Sequence, residues 1–357
     1  MSLAIGMFAF LGGFLIIMKV DWNRVFDTPP SLVTPELFDA VMVILLGGVV
    51  LQLVFKNTIA LLYALQWNNI ANLIGIFSTL SLLIFLVTTR SGSLATDLLH
   101  LSIANVLANT IPAVLATLWL FHSGVVGPLP RPRDVDILSI KSVLGIGSIF
   151  LGIQLGLVVI NSTDPILISG LIAPAYVVDY QAYVKIFGLF SMAFSLLTQP
   201  VWSAVGQAHA RDDLAWTRRA FRLLFQTALV GAAASLGAVA ALPWIFQVWL
   251  GPGVVSVSYP IALVCAGLAS ADILMLAVTC IANGIGELRV QLVFILLGAL
   301  VKVPLSLLFV SLYGGWISVM IAHLIAILPL VIAQTIALRR RFGRIIPAGQ
   351  TPLKGIR

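Results

Sequence analysis

Residues 290–312 read VQLVFILLGALVKVPLSLLFVSL, 23 residues whose single charge is Lys302. A helix needs about 20 mostly apolar residues to cross the hydrocarbon of a bilayer. A buried strand of a soluble protein is only about 4–8 residues long, and this run has no strict alternation. Only helices and closed barrels satisfy their own backbone in lipid. A barrel strand would show about 10 residues of alternating polarity. The stretch therefore predicts a membrane-spanning helix, and it decides the fold because runs of its kind recur along the whole chain.

The composition agrees. Of 357 residues, 60% are hydrophobic and 9% charged, and the mean hydropathy is +1.10. A soluble domain carries about 25% charged residues. These values exclude a cytosolic enzyme, a secreted module and a disordered chain. Spans are predicted at 2–20, 37–56, 68–88, 94–121, 142–163, 176–198, 223–249, 258–282, 290–312 and 315–338. The N-terminal run lacks the basic start and small-residue cleavage site of a signal peptide, so it reads as the first span.

The basic residues orient these spans. With the N-terminus inside, the inner loops and tail hold Lys56, Arg131, Arg133, Lys141, Arg211, Arg218, Arg219, Arg222, Arg289, Arg339, Arg340, Arg341, Arg344, Lys354 and Arg357. The outer side holds Lys19, Arg24 and Arg90, while Lys185 and Lys302 fall within spans. Fifteen against three is a strong positive-inside bias, which places both termini in the cytoplasm. The net charge of +7 is thus topological. No basic and aromatic face of the nucleic-acid-binding kind is present.

The stretch 207–222, QAHARDDLAWTRRAFR, predicts an interfacial helix, with Asp212 and Asp213 near its start and arginines near its end. Cys265 and Cys280 share one span and lie about 22 Å apart along a helix, too far for a disulfide. No His/Cys cluster has metal-ligand spacing, and no cofactor motif occurs.

Two Gly turns echo each other, Ser91-Gly92-Ser93 between spans 3 and 4 and Tyr313-Gly314-Gly315 between spans 9 and 10. Ile70-Ala71-Asn72 and Ile281-Ala282-Asn283 form a second echo. Six helices separate each pair, which gives a parallel repeat about an axis along the membrane normal. The predicted architecture is an all-α polytopic membrane protein of about ten helices, four plus six. Its parts are an N-terminal bundle over 1–130 and a six-helix bundle over 131–357 that carries the interfacial helix and a basic tail.

Residues 161–216, NSTDPILISGLIAPAYVVDYQAYVKIFGLFSMAFSLLTQPVWSAVGQAHARDDLAW, resemble polysaccharide-biosynthesis proteins of the Wzx type. These are O-antigen and capsule flippases of the multidrug/oligosaccharidyl-lipid/polysaccharide exporter superfamily. The likeness lies in Ser-Thr-Asp before the ILIS run, the Gly-x-x-x-Pro stretch, the Tyr-rich start of span 6 and its Pro-x-Trp-Ser-Ala exit. It implies two six-helix bundles around a central cavity in a bacterial inner membrane. It also implies that undecaprenyl-diphosphate-linked oligosaccharide moves between leaflets by alternating access. Against that pattern the chain lacks the first two helices, which raises the alternative of a truncated, inactive remnant.

Charge at membrane depth is costly and usually functional or paired. Asp164, Asp272 and Asn161 are candidates for binding H+ or Na+, since a carboxylate at depth suits ion coupling. Lys185 and Lys302 are candidates for the substrate diphosphate. Tyr180, Tyr183 and Trp202 are candidates for stacking on sugars. Each has a plainer reading. Asp272–Lys302 is open as a fixed interhelical pair, Asp164 and Asp179 suit the outer headgroup layer, and the aromatics suit packing. His100 and His323 read as hydrogen-bonded packing. A second function from the same superfamily is ion-coupled export of cationic drugs, which needs carboxylates and aromatics where a diphosphate needs Lys or Arg. An embedded polymerase or glycosyltransferase would need charged outer loops, but 164–175 holds only Asp164 and 250–257 and 313–314 hold none. No phosphate-binding loop for ATP occurs.

Overall fold

The computed structural model describes all residues except 1, 26–28, 66, 90–92, 126–136, 252–256 and 344–357. Among the described residues there are twelve helices and no strand. The chain divides into two compact units, Met1–Asp134 and Val135–Arg357. The predicted boundary at 130/131 and the first Gly turn, at Ser91 and Gly92, lie outside the described residues.

The first unit holds α1 (Ser2–Ile17), α2 (Trp22–Val25), α3 (Pro35–Ala64), α4 (Asn68–Thr88) and α5 (Leu94–His122). The start of α3 follows from its sequence. Thr34 caps it by accepting from the Leu37 N–H at 3.4 Å, Pro35 stands at the first turn, and Glu36 meets the positive helix end. The Asn23 amide donates to the Val33 carbonyl at 2.8 Å and ties the link before α3. On α4 only Ala71 is buried. Its hydroxyls, such as Ser78 and Ser81, turn back onto carbonyls of their own helix. That leaves an apolar outer surface suited to lipid.

The second unit holds α6 (Ile137–Ser162), α7 (Asp164–Leu171), α8 (Tyr176–Ala210), α9 (Leu214–Trp249), α10 (Tyr259–Gly284), α11 (Arg289–Tyr313) and α12 (Ile317–Gly343). At its centre, α10 packs against α8, α9 and α12. Small residues allow that closeness, as is usual where lipid supplies no hydrophobic drive between helices. The Ser270 hydroxyl donates to the Ala232 carbonyl of α9 at 3.2 Å, and the Ser235 hydroxyl reaches back to Ala266 at 3.4 Å. Gly298 of α11 has no room for a side chain, because a Cβ there would sit 2.6 Å from the Ala326 carbonyl oxygen of α12.

Nine helices among the described residues are long and apolar enough to cross a membrane. Nine of the ten predicted spans recur, several as longer helices such as α8 and α9; the first, 2–20, is the 16-residue α1 and is not among the nine, and two loop readings also differ. The stretch 164–171, read as outer loop, is α7, which continues the membrane segment Leu144–Leu171 past a break at Thr163. The stretch 207–222 is not one interfacial helix. It is the end of α8, a turn with Asp212 at φ 55, and the first turns of α9. Asp213 caps α9 by accepting from the Trp216 N–H at 2.9 Å. Its carboxylate therefore starts α9 after α8 has ended at Ala210, where charge patterning alone suggested a single helix.

Candidate functional site

The site begins at the break between α6 and α7. Pro165 has no N–H, so the α-helical ladder cannot pass through it unbroken. Helices broken at membrane depth are tolerated where other groups satisfy the freed backbone. Here a side chain does so, since the Lys302 ammonium of α11 donates to the Ile160 carbonyl at the end of α6. The same ammonium lies 2.6 Å from Asp164 Oδ1 at the start of α7. Lys302 stands about 20 Å along α11 from its first residue, so the pair lies deep in the span.

The other carboxylate oxygen is also held. His323 Nδ1 of α12 is 2.6 Å from Asp164 Oδ2. A carboxylate beside a lysine ammonium is an acceptor, so Nδ1 carries the proton. The Tyr180 hydroxyl of α8 donates to the same oxygen at 3.4 Å. Both Asp164 and Lys302 are 0% exposed and His323 is 4% exposed. Four helices thus meet on one carboxylate. His323 Nε2 has no hydrogen-bond partner among the described residues, and Asp272 of α10 lies within electrostatic range of both His323 and Asp164.

An aromatic cluster packs beside this network. Trp316 meets Tyr180 edge-on at 6.2 Å and Tyr183 at 5.8 Å, and Tyr183 meets Phe246 edge-on at 5.1 Å. The Tyr183 hydroxyl accepts from the Ser258 N–H at 2.8 Å.

The predicted site residues are therefore sorted differently from their expected roles. Asp164 is in the buried network and not in an outer headgroup layer. The ion-pair partner of Lys302 is Asp164, not Asp272, and Lys302 is 0% exposed. Lys185 is exposed on α8 and makes no ion pair among the described residues. Asp272 is half-buried and Asn161 is exposed, its amide donating to the Leu157 carbonyl of its own helix at 3.0 Å. Tyr180 and Tyr183 are core residues with their faces covered, whereas Trp202 is apart from them and pairs with Phe150 at 6.2 Å. Trp316 was not singled out, and His323 was read only as hydrogen-bonded packing. A histidine inside a span was the signal for His323, but its partner lies 159 residues away in sequence.

No family profile matches the sequence, and no curated relative matches it. Solved structures do match. A MATE protein in complex with MaL6 superposes with a TM-score of 0.73 at 16% identity, covering 96% of this chain and 77% of that one. The chain has the MATE transporter fold. An outward-facing multidrug resistance MATE family transporter of the MOP superfamily gives 0.68 at 14% identity, over 96% and 77% of the two chains. A MOP superfamily transporter from Pyrococcus furiosus gives 0.70 at 17% identity, over 96% and 76%, and the reverse polarity of its binding pocket is reported to suggest a different function. With nine helices among the described residues long and apolar enough to cross a membrane, and with this fold, the chain is a multi-pass membrane protein.

Proposed function

We propose that this MATE-like chain is a transporter that flips lipid-linked oligosaccharide across the bacterial inner membrane by alternating access. One observation carries the transport reading, the buried Asp164–Lys302–His323 network at the α6/α7 break. A charge cluster at membrane depth is expensive to keep without use, and broken helices mark binding and coupling sites in transporters. Binding of H+ or Na+ at Asp164 competes directly with Lys302. It weakens the tie between α11 and the broken segment and lets α7 move relative to α6. His323, with its open Nε2, gives the proton a route to and from Asp164.

The flippase reading rests on the Wzx-like stretch and on the sign of the accessible charge. Lys185 is exposed about 14 Å along α8 and makes no ion pair among the described residues, which suits a lipid diphosphate. Asp164 is already neutralised by Lys302, so it offers little to a drug cation. A MOP superfamily transporter of the same fold has a binding pocket of reverse polarity, which suggests a different function for that protein. A second reading, ion-coupled export of cationic compounds, is favoured by half-buried Asp272 on α10.

The test is complementation of a flippase-deficient strain. The flippase reading expects restored surface polysaccharide, lost in both Asp164→Asn and Lys185→Gln. Failure to complement, together with extrusion of a cationic dye that depends on Asp272, would overturn it in favour of the exporter.

A further inference from the structure

Away from this network, at the arginine-rich end of the second unit, α9 and α12 enclose a groove of about 390 Å³. Arg218, Arg222 and Arg339 rim it, and Phe221, Phe225 and Phe342 form its floor. The floor is built, with Phe221 packed on Phe225 at 5.8 Å and on Phe342 at 5.7 Å. The Arg339 guanidinium lies 5.6 Å over the Phe225 ring, which holds the charge at the groove.

Among the described residues the rim charges have no acidic partner at ion-pair distance. All three arginines are exposed. Neighbouring Arg341 takes Glu287 instead. Arg218 and Arg222 stand four apart on one helix face, where like charges repel. They also sit in the first turns of α9, the positive end of its dipole. Three cations gathered in one groove, two of them toward the positive end of α9, call for an anion. The tail 344–357, RIIPAGQTPLKGIR, is no candidate, since it has three basic residues and no acidic one. A floor of three phenylalanines asks for an apolar portion on the same ligand.

We propose that this groove binds the headgroup of an anionic glycerophospholipid of the cytoplasmic leaflet. The arginines take the phosphate oxygens, with guanidinium forks suited to that geometry, and the phenylalanines take the glycerol and upper acyl chain. The positive-inside bias puts this end of the unit at that leaflet, and basic pockets between spanning helices there are a recurrent mode of lipid binding. The inference stands independently of what the chain transports.

The experiment uses the full chain, delipidated in neutral detergent, with native mass spectrometry and thermal shift as readouts. Phosphatidylglycerol is expected to stay bound and to raise the melting temperature, and phosphatidylcholine to do neither. Each single substitution Arg218→Gln, Arg222→Gln or Arg339→Gln should weaken phosphatidylglycerol binding about five-fold, and the triple variant about 100-fold. Arg340→Gln, an exposed arginine outside the groove, should leave binding unchanged. The single variants carry the test if the triple variant fails to fold. Equal binding of phosphatidylcholine, equal loss in Arg340→Gln, or equal stabilisation by inorganic phosphate alone would each overturn the proposal, the last in favour of a free-phosphate site.

Discussion

Replacing Lys302 by methionine keeps a long side chain in the core and removes one charge. Two losses follow. The Asp164 carboxylate loses an ammonium at 2.6 Å in a site with 0% exposure. Removing one partner of a buried pair costs about 3–5 kcal/mol. The Ile160 carbonyl also loses its donor, a loss of about 1–3 kcal/mol for a buried acceptor left unmet. His323 and Tyr180 remain on Asp164 and offset part of this, so a net loss of about 4 kcal/mol is expected. For a unit the size of Val135–Arg357, about 2–4 °C accompanies each kcal/mol, which gives a melting temperature lower by about 8–16 °C. The assay is already in the chain. Its two cysteines, Cys265 and Cys280, are free and buried in the second unit, so a thiol-reactive dye reports the unfolding of that unit. Adding Asp164→Asn to Lys302→Met removes the stranded charge, so the double variant should be more stable than the sum of the two single losses by at least about 1.5 kcal/mol. A Lys302→Met protein melting within about 2 °C of the parent, or strict additivity, would refute the pairing.

Gly298→Ala should destabilise the second unit by about 1–3 kcal/mol in the same dye assay, because its Cβ meets a backbone oxygen of Ala326 at 2.6 Å and α11 must move off α12. Tyr183→Phe keeps the ring contacts with Phe246 and Trp316 but strands the Ser258 N–H; a cost of about 1–2 kcal/mol is expected, with faster hydrogen exchange at the Ser258 amide. Arg341→Gln breaks an exposed 2.5 Å pair with Glu287. It should cost under about 1 kcal/mol, and salt at about 0.5 M should erase even that difference in melting temperature.

The spans were legible because length and hydropathy are local properties. Residues 290–312 announce α11 without any knowledge of their neighbours. The break in the fifth span was not legible in the same way. Pro165 disfavours helix at the residue before it, and in the sequence the apolar run of the fifth span ends at 163. The Ile160 carbonyl at the break is met by a donor from Lys302, 142 residues beyond it. The site suffered the same limit. Composition identifies which charges lie at depth, and Asp164, Lys302 and Asp272 are all named by it. Pairing depends on which helices touch, and α6, α7, α11 and α12 converge only in the fold. The 207–222 stretch failed for another reason. An acidic residue before a run of helix formers reads equally as an early helical turn or as a cap, and Asp213 is the cap.

The distance along the chain between the broken segment and its partner also bears on biogenesis. At about 5–20 residues per second of synthesis, the 142 residues between Ile160 and Lys302 take roughly 7–30 s to appear. During that interval the segment Leu144–Leu171 must enter the bilayer with Asp164 unaccompanied, at an insertion cost of about 3 kcal/mol for a central aspartate. Its apolar surroundings, with a mean hydropathy of 1.9, meet that cost. Maturation of the second unit is therefore a late event, completed only when α11 and α12 emerge and α11 brings its ammonium to a carboxylate already waiting in lipid.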